Sequence, residues 1–279
     1  MLPSKVVLQA YPDYSRAGWK AGMDSGYETL IRNPEELHRS GVFRQNELLR
    51  ELVGPDITLQ LLPELKIVSL ELNQVLYGQG DYIEFIYFPI DCVVSGLAIM
   101  EDGTTIETSM IGREGLVGVG AILGTGRARQ WHWVTIGGSA IQVETKFLER
   151  ALVQSEVSLK ALLKSYRSLI SQLSQRCVCN TRHTILERLC CWLLMIHDRV
   201  GSGNMSLTQE LIASRVGARR AGITVAAGML QSMKAIAYRR GQLHIENRHL
   251  LEQTVCECYK LLRIDFQPAT PISPSSQFR

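Results

Sequence analysis

The residues best suited to recognition chemistry lie between Leu207 and Ile245: Arg219, Arg220, Thr224, Arg239 and Arg240. A guanidinium is a planar fork of donors that matches a phosphate or a guanine edge with two hydrogen bonds at once. Arg220, Thr224, Gly228 and Gln231 recur every three or four residues, a polar or small helix front. Arg239 and Arg240 precede Gly241 at a basic hairpin tip. This set fits contact with a polyanion, closely enough to enter the DNA major groove. The competing reading is an ordinary pair of helices with arginines on its surface.

The elements that position these groups follow from the same stretch. Thr208 is a good N-cap, with Glu210 in the first turn where the helix dipole favours an acid. Leu211, Ile212 and Val216 give an apolar face, and Gly217 suits a sharp left-handed turn. Ile223, Ala226, Leu230 and Met233 form the stripe expected to be buried on a second helix. Ile236 to Ile245 reads as two short strands. Gly222 and Gly228 inside the second helix cost roughly 1 kcal/mol each against Ala, which predicts a close approach there of backbone or phosphate.

The chain has 279 residues, enough for two domains with their own cores, and a net charge of only +3. The charge is uneven. Residues 181 to 265 hold twelve Lys and Arg against seven Asp and Glu, a net +5, which leaves −2 elsewhere. That is the footprint phosphate binding requires. The opening MLPSKVVLQAYPDYSR has no apolar stretch of signal-peptide length, and the longest apolar run, Leu189 to Ile196, is too short to cross a bilayer. Seven cysteines, an odd number, fit a reducing, cytoplasmic setting with mostly free thiols. Cys177 and Cys179, and Cys256 and Cys258, are C-x-C pairs; Cys190 and Cys191 are adjacent. None has the C-x2-C spacing of a zinc or thioredoxin site, so buried or incidental thiols are expected, with a redox or iron–sulfur role as the alternative. No metal or cofactor is assigned.

Residues 1–45, with Pro3, Pro12 and Pro34, read as a weakly structured extension. Short amphipathic helices are expected at Asn46 to Leu52 and Ile57 to Leu62. From about Leu65 to Glu144, short apolar runs alternate with Gly, Asp and Asn turns, which suggests an all-β barrel or sandwich; Gly80-Asp81 and Asp102-Gly103 are the clearest turns. Inside it, Ile111 to Arg127 is glycine-rich. Its spacing matches neither a dinucleotide fingerprint nor a P-loop. Its amides could cradle a phosphate, which makes Gly112, Arg113, Glu114, Gly115, Gly118, Arg127 and Arg129 candidate effector-loop residues. Tight turns with one short helical turn are the plainer expectation.

Phe147 to Cys179 reads as one long helix. From Leu159 onward Leu159, Leu163, Tyr166, Ile170, Leu173 and Cys177 alternate four and three apart, with Glu156 interrupting near the start. A seam of that kind predicts a homodimer, with two recognition helices on one DNA face. The expected division is thus 46–146 for an effector domain, 147–180 for the dimerisation helix, 181–265 for the DNA-binding domain and 266–279 for a Pro- and Ser-rich disordered tail. A further apolar helix is expected over Thr181 to Asp198, and one closing helix over Leu250 to Leu262.

The run from Gln74 (QVLYGQGDYIEFIYFPIDCVVSGLA), the run from Met110 (MIGREGLVG) and the run from Leu207 (LTQELIASRVGARRAGITVAAGML) together resemble the CRP/FNR family of bacterial transcription regulators. The resemblance covers about Asn46 to Asp265. It implies an α+β chain: an N-terminal β-roll like a cyclic-nucleotide-binding domain, a long dimerisation helix and a C-terminal winged helix-turn-helix. It implies a homodimer on a palindromic promoter site, RNA polymerase as a further partner and a small-molecule effector. On that resemblance Arg219, Arg220 and Thr224 fall where bases and phosphates are read, and Thr208 where the backbone is touched. The pattern also departs from the family. Leu116 follows Gly115 where cyclic-nucleotide members place a ribose-binding Glu, and Arg127-Ala128-Arg129 only approximates their Arg-Ser pair. Cyclic AMP is therefore not the expected ligand. Residues 1–91 hold no Cys for an N-terminal iron–sulfur centre. Ala221 and Gly222 follow Arg219-Arg220 where a base-reading Glu is common, so a different half-site is expected. Arg215 stands at a usually apolar position, either snorkelling to phosphate or pairing with an acid.

Two other readings compete. An enzyme on the barrel would need clustered His ligands, and that segment offers only His132, between Trp131 and Trp133, so no enzyme is expected. A ligand- or redox-sensing module, or a haem or metal binder through the β-roll, could exist without operator binding.

Overall fold

The computed structural model describes residues 29–31, 41–52, 61–124 and 126–265. The first strand, β1 (Thr29–Ile31), lies within the stretch expected to be weakly structured, and pairs antiparallel with β2. The rest of that stretch up to residue 40, most of the helix expected over Ile57 to Leu62, and the tail from 266 lie outside the described residues. After a short 3-10 turn comes α1 (Glu47–Leu52). Its N-cap Asn46 is fully buried, and its amide donates to the carbonyls of Pro89 (2.9 Å) and Gly115 (3.0 Å) while its oxygen accepts from the Leu49 amide.

Seven strands then build the roll: β2 (Lys66–Leu70), β3 (Val75–Tyr77), β4 (Phe85–Pro89), β5 (Val93–Ile99), β6 (Thr105–Ile111), β7 (Trp131–Ile136) and β8 (Gly138–Glu144), with α2 (Val119–Leu123) between β6 and β7. They form two antiparallel sheets, ordered β1-β2-β8-β4 and β3-β7-β5-β6. Ile67, Ile86, Phe88, Val94, Val134 and Ile141 belong to one buried cluster, joined by Leu49, Leu148 and Leu162 from helices. The glycine-rich piece is the expected set of turns with one short helix. Gly118 has φ +102°, and a Cβ there would meet Ile83 and Ile86 at 2.9 Å. Its glycine is demanded by packing.

The long helix is two helices. α3 (Thr145–Val153) ends, and α4 (Glu156–Arg182) begins after Ser155, whose side chain caps Ser158. Glu156, which interrupts the apolar seam, opens the second helix, where a carboxylate suits the dipole. Leu152 accordingly packs into the roll, whereas Leu159, Leu163, Tyr166 and Ile170 are 38–48 % exposed and Leu173 is half-buried. α4 also runs to Arg182, past the boundary expected at 180. α5 (Ile185–Val200) starts at a Thr184–Glu187 capping box and buries Leu189 to Ile196.

The last domain adds β9 (Asn204–Ser206), α6 (Gln209–Val216), α7 (Arg220–Ser232), β10 (Ile236–Arg239), β11 (Gln242–Ile245), α8 (Arg248–Thr254) and α9 (Cys258–Asp265). β9 pairs antiparallel with β11 and widens the hairpin to three strands. The single closing helix is also two, broken at Val255–Glu257. No helix among the described residues is long and apolar enough to cross a membrane.

Gly118→Val combines a left-handed φ with overpacking against Ile83 and Ile86. It should cost about 1–3 kcal/mol of stability, read as a lower urea midpoint with an unchanged slope.

Candidate nucleic-acid interface

α6 and α7 form the expected helix-turn-helix. Thr208 accepts from the Leu211 amide at 3.1 Å, and Gly217 turns the chain with φ +68°. α7 buries Ile223, Ala226, Ala227 and Leu230. Met233, expected on that stripe, caps the helix and is 42 % exposed; Ala227 takes its place because the helix ends first. Gly222 is not open to phosphate: a Cβ there would meet Ile185 Cδ1 at 2.6 Å, so its glycine lets α7 lie on α5. Gly228 has open space above it, as an approach to DNA requires.

Arg219, Arg220 and Thr224 are all exposed. Arg220 pairs with Glu210 at 2.8 Å, and Thr224 donates to Gln209 at 2.9 Å. Both partners sit at the start of α6. An ion pair this exposed is worth little, so Arg220 can be drawn away by a phosphate or base. The hairpin tip turns at Arg240 (φ +52°) and Gly241 (φ +77°), the pair of positive φ values of a type I′ turn, and leaves Arg239 and Arg240 exposed. Val225 and Met229, 60 % and 48 % exposed, stand on the open face of α7 with Ala221 and Gly228. The polar front read from the sequence passes over them, although apolar groups there suit thymine methyls. Their signal was that both fall outside the buried stripe.

Behind this surface lies an ionic junction. Glu107 on β6 is wholly buried. Its Oε1 accepts from Arg176 of α4 (2.8 Å) and Trp192 Nε1 of α5 (3.1 Å). Its Oε2 accepts from Ser95 and faces Arg215 Nε of α6 at 3.8 Å. Arg215 also donates to Thr135 (3.2 Å), and Arg176 donates to the Arg215 carbonyl (2.8 Å). Of the two fates open to Arg215, pairing with an acid is the one observed. Nearby, Gln172 of α4 exchanges hydrogen bonds with both backbone groups of Met110, and Ser214 donates to the Thr105 carbonyl at 3.0 Å.

The effector-loop candidates do not meet at one site. Arg113 donates to the Asp198 carbonyl (2.7 Å) and lies 3.6 Å from Glu47, while Glu114 pairs with buried Arg199 of α5 at 2.9 Å. Gly112 is needed because a Cβ would strike the Arg199 side chain at 2.7 Å. Gly115 offers its carbonyl to Asn46. Arg127 stacks over Tyr82 at 3.6 Å and donates to the Gly80 carbonyl, and Arg129 is exposed. His132 is buried beside Tyr77, edge to face at 6.1 Å, and burial lowers its pKa to about 4. It is a packed, neutral imidazole.

Comparison with known proteins agrees with this geometry. Residues 187–254 match the model of the Crp-like helix-turn-helix domain. The solved structure of FixK2 from Bradyrhizobium japonicum superposes with a TM-score of 0.59 at 18 % identity, over 69 % of this chain and 98 % of that one. The chain carries the fold of the CRP/FNR transcription regulators. A CRP-family transcriptional regulator from Thermus thermophilus gives 0.57 at 15 % identity, over 67 % and 95 %. The global nitrogen regulator of Synechococcus elongatus is 22 % identical over 199 residues, 68 % of this chain and 89 % of that protein. Within the CRP/FNR fold, the Glu107 junction joins the roll, the long helix and the reading head.

Glu107→Ala leaves Arg176 and Arg215 without their shared anion and should cost about 3–5 kcal/mol, measured by denaturant unfolding. His132 stays neutral when folded but takes a proton when unfolded, so between pH 6.5 and about 4 the unfolded state binds more protons. Stability should therefore fall as pH drops through that window, and the fall should shrink in His132→Phe.

Proposed function

We propose that this chain is a sequence-specific transcription regulator that binds duplex DNA as a homodimer. The observation that carries the reading is the exposed face of α7, with Arg219, Arg220, Thr224, Val225 and Met229, flanked by the basic tip at Arg239 and Arg240. In this reading α7 enters the major groove, Thr208 touches the backbone and the hairpin tip lies along the adjacent phosphates. The apolar ridge of α4 from Leu159 to Ile170 supports self-pairing, since a row of aliphatic and aromatic side chains open to water is most simply covered by its own copy. A twofold dimer then faces a palindromic site with half-sites about 34 Å apart. RNA polymerase is the further partner in this reading, and the working compartment is the cytoplasm.

The effector domain is not built for cyclic AMP in this reading. Leu116 is buried where an acid would meet the ribose, and Arg113 and Glu114 are engaged with Asp198 and Arg199. A small-molecule effector acts by differential affinity for two arrangements of roll and reading head, through the Glu107 and Glu114 contacts that join them.

Arg220→Ala should weaken specific DNA binding by about 1–3 kcal/mol if it makes a bidentate guanine contact, measured by fluorescence anisotropy at two salt concentrations. Equal loss on random DNA would make it a phosphate contact. Leu163→Glu with Ile170→Glu should convert a dimer to a folded monomer in sedimentation and abolish operator binding. A wild-type chain that stays monomeric at working concentrations, or binds DNA with no salt dependence, would overturn the reading.

A further inference from the structure

Cys179 lies in the last turn of α4, and His183 is the C-cap four residues on, its amide donating to the Cys179 carbonyl at 3.1 Å. Cys256 lies in the break between α8 and α9, and Cys258 opens α9. The fold brings these two pairs together from some seventy-five positions apart. The four donor atoms all lie within 4.8 Å of one another. Cys179 Sγ is 3.7 Å from Cys256 Sγ, and Cys258 Sγ is 3.4 Å from His183 Nδ1. A tetrahedral ion with bonds of about 2.3 Å to sulfur and about 2.0–2.1 Å to nitrogen holds its ligand atoms roughly 3.4–3.8 Å apart.

The surroundings match a ligand set. His183 Nε2 lies 3.2 Å from Glu257 Oε2, which turns Nδ1 toward the sulfurs and fixes the tautomer that can donate a lone pair. Gln175 Nε2 donates to Cys258 Sγ at 3.0 Å, as outer groups do to a thiolate. The three cysteines are buried and His183 is half-buried. Incidental burial of thiols accounts for neither the imidazole orientation nor the Gln175 amide aimed at sulfur.

We propose that Cys179, His183, Cys256 and Cys258 bind one structural Zn²⁺ ion. Three thiolates and an imidazole are a soft donor set that disfavours Mg²⁺ and Ca²⁺. Four protein ligands fill the tetrahedron, leaving no open position for a reacting water. Their tight mutual spread suits one ion; a two-iron cluster needs ligands set further apart. The ion pins the last helix to the end of α4, so the long helix and the reading head move as one piece.

The test uses the full-length chain purified under reducing conditions, with metal content read by mass spectrometry. About one zinc per chain is expected, kept in Cys177→Ser and lost in His183→Ala and Cys258→Ser. Because a cysteine variant can fail to fold, the metal-free wild-type chain is also titrated with Co²⁺. It should develop thiolate-to-cobalt charge transfer and the strong visible bands of a tetrahedral site. Glu257→Gln should keep those bands with metal affinity lowered about 10- to 100-fold. A chain without metal, whose thermal midpoint ignores chelator and which gives no thiolate–cobalt band, overturns the site. So does iron–sulfur absorption in place of zinc.

Discussion

One buried carboxylate holds this molecule in its observed arrangement. Glu107 points from β6 into the junction of the roll, α4, α5 and α6, and every partner it has there comes from a different element. A charge taken out of water is costly unless nearly all its lone pairs are used. Here two guanidiniums, an indole N–H and a hydroxyl use them, so the elements carrying those groups cannot drift apart singly. The junction thus ties the roll to α4, α5 and the helix-turn-helix through one charge.

The surfaces away from the junction divide by what covers them. α5 is apolar along Leu189 to Ile196 and is packed by α6, α7, α8 and α9 and by β5 of the roll. α4 is different. Its first half packs Ala161 and Leu162 inward on α1 and the roll, yet turns Leu159, Leu163, Tyr166 and Ile170 to water. α7 is different again: its inner face is fully packed, and its outer face mixes arginine, threonine and small apolar groups that neither a core nor a plain solvated surface asks for.

Glycines show how one residue type answers two needs. Gly222 and Gly228 look alike along the chain, six residues apart in one helix. Gly222 lets α7 approach Ile185, and Gly228 keeps an outer surface low. Only the neighbours tell them apart.

Local sequence determined much of the architecture. The N-cap at Thr208, the turn glycines at 103, 217 and 241, the short apolar runs of the roll between their turns and the four–three stripe of α4 are read at short range, because each depends on backbone geometry and on neighbours a few positions away. So do the exposed arginines of the reading head. Tertiary structure alone decided the partner of Arg215 and the use of Gly112 for Arg199. It also brought Cys179 and His183 together with Cys256 and Cys258, some seventy-five positions further on. The physical reason is common to all of them: a buried charge, a close backbone approach and a ligand set are satisfied by groups far apart along the chain, and sequence spacing carries no record of which distant groups the core will bring face to face.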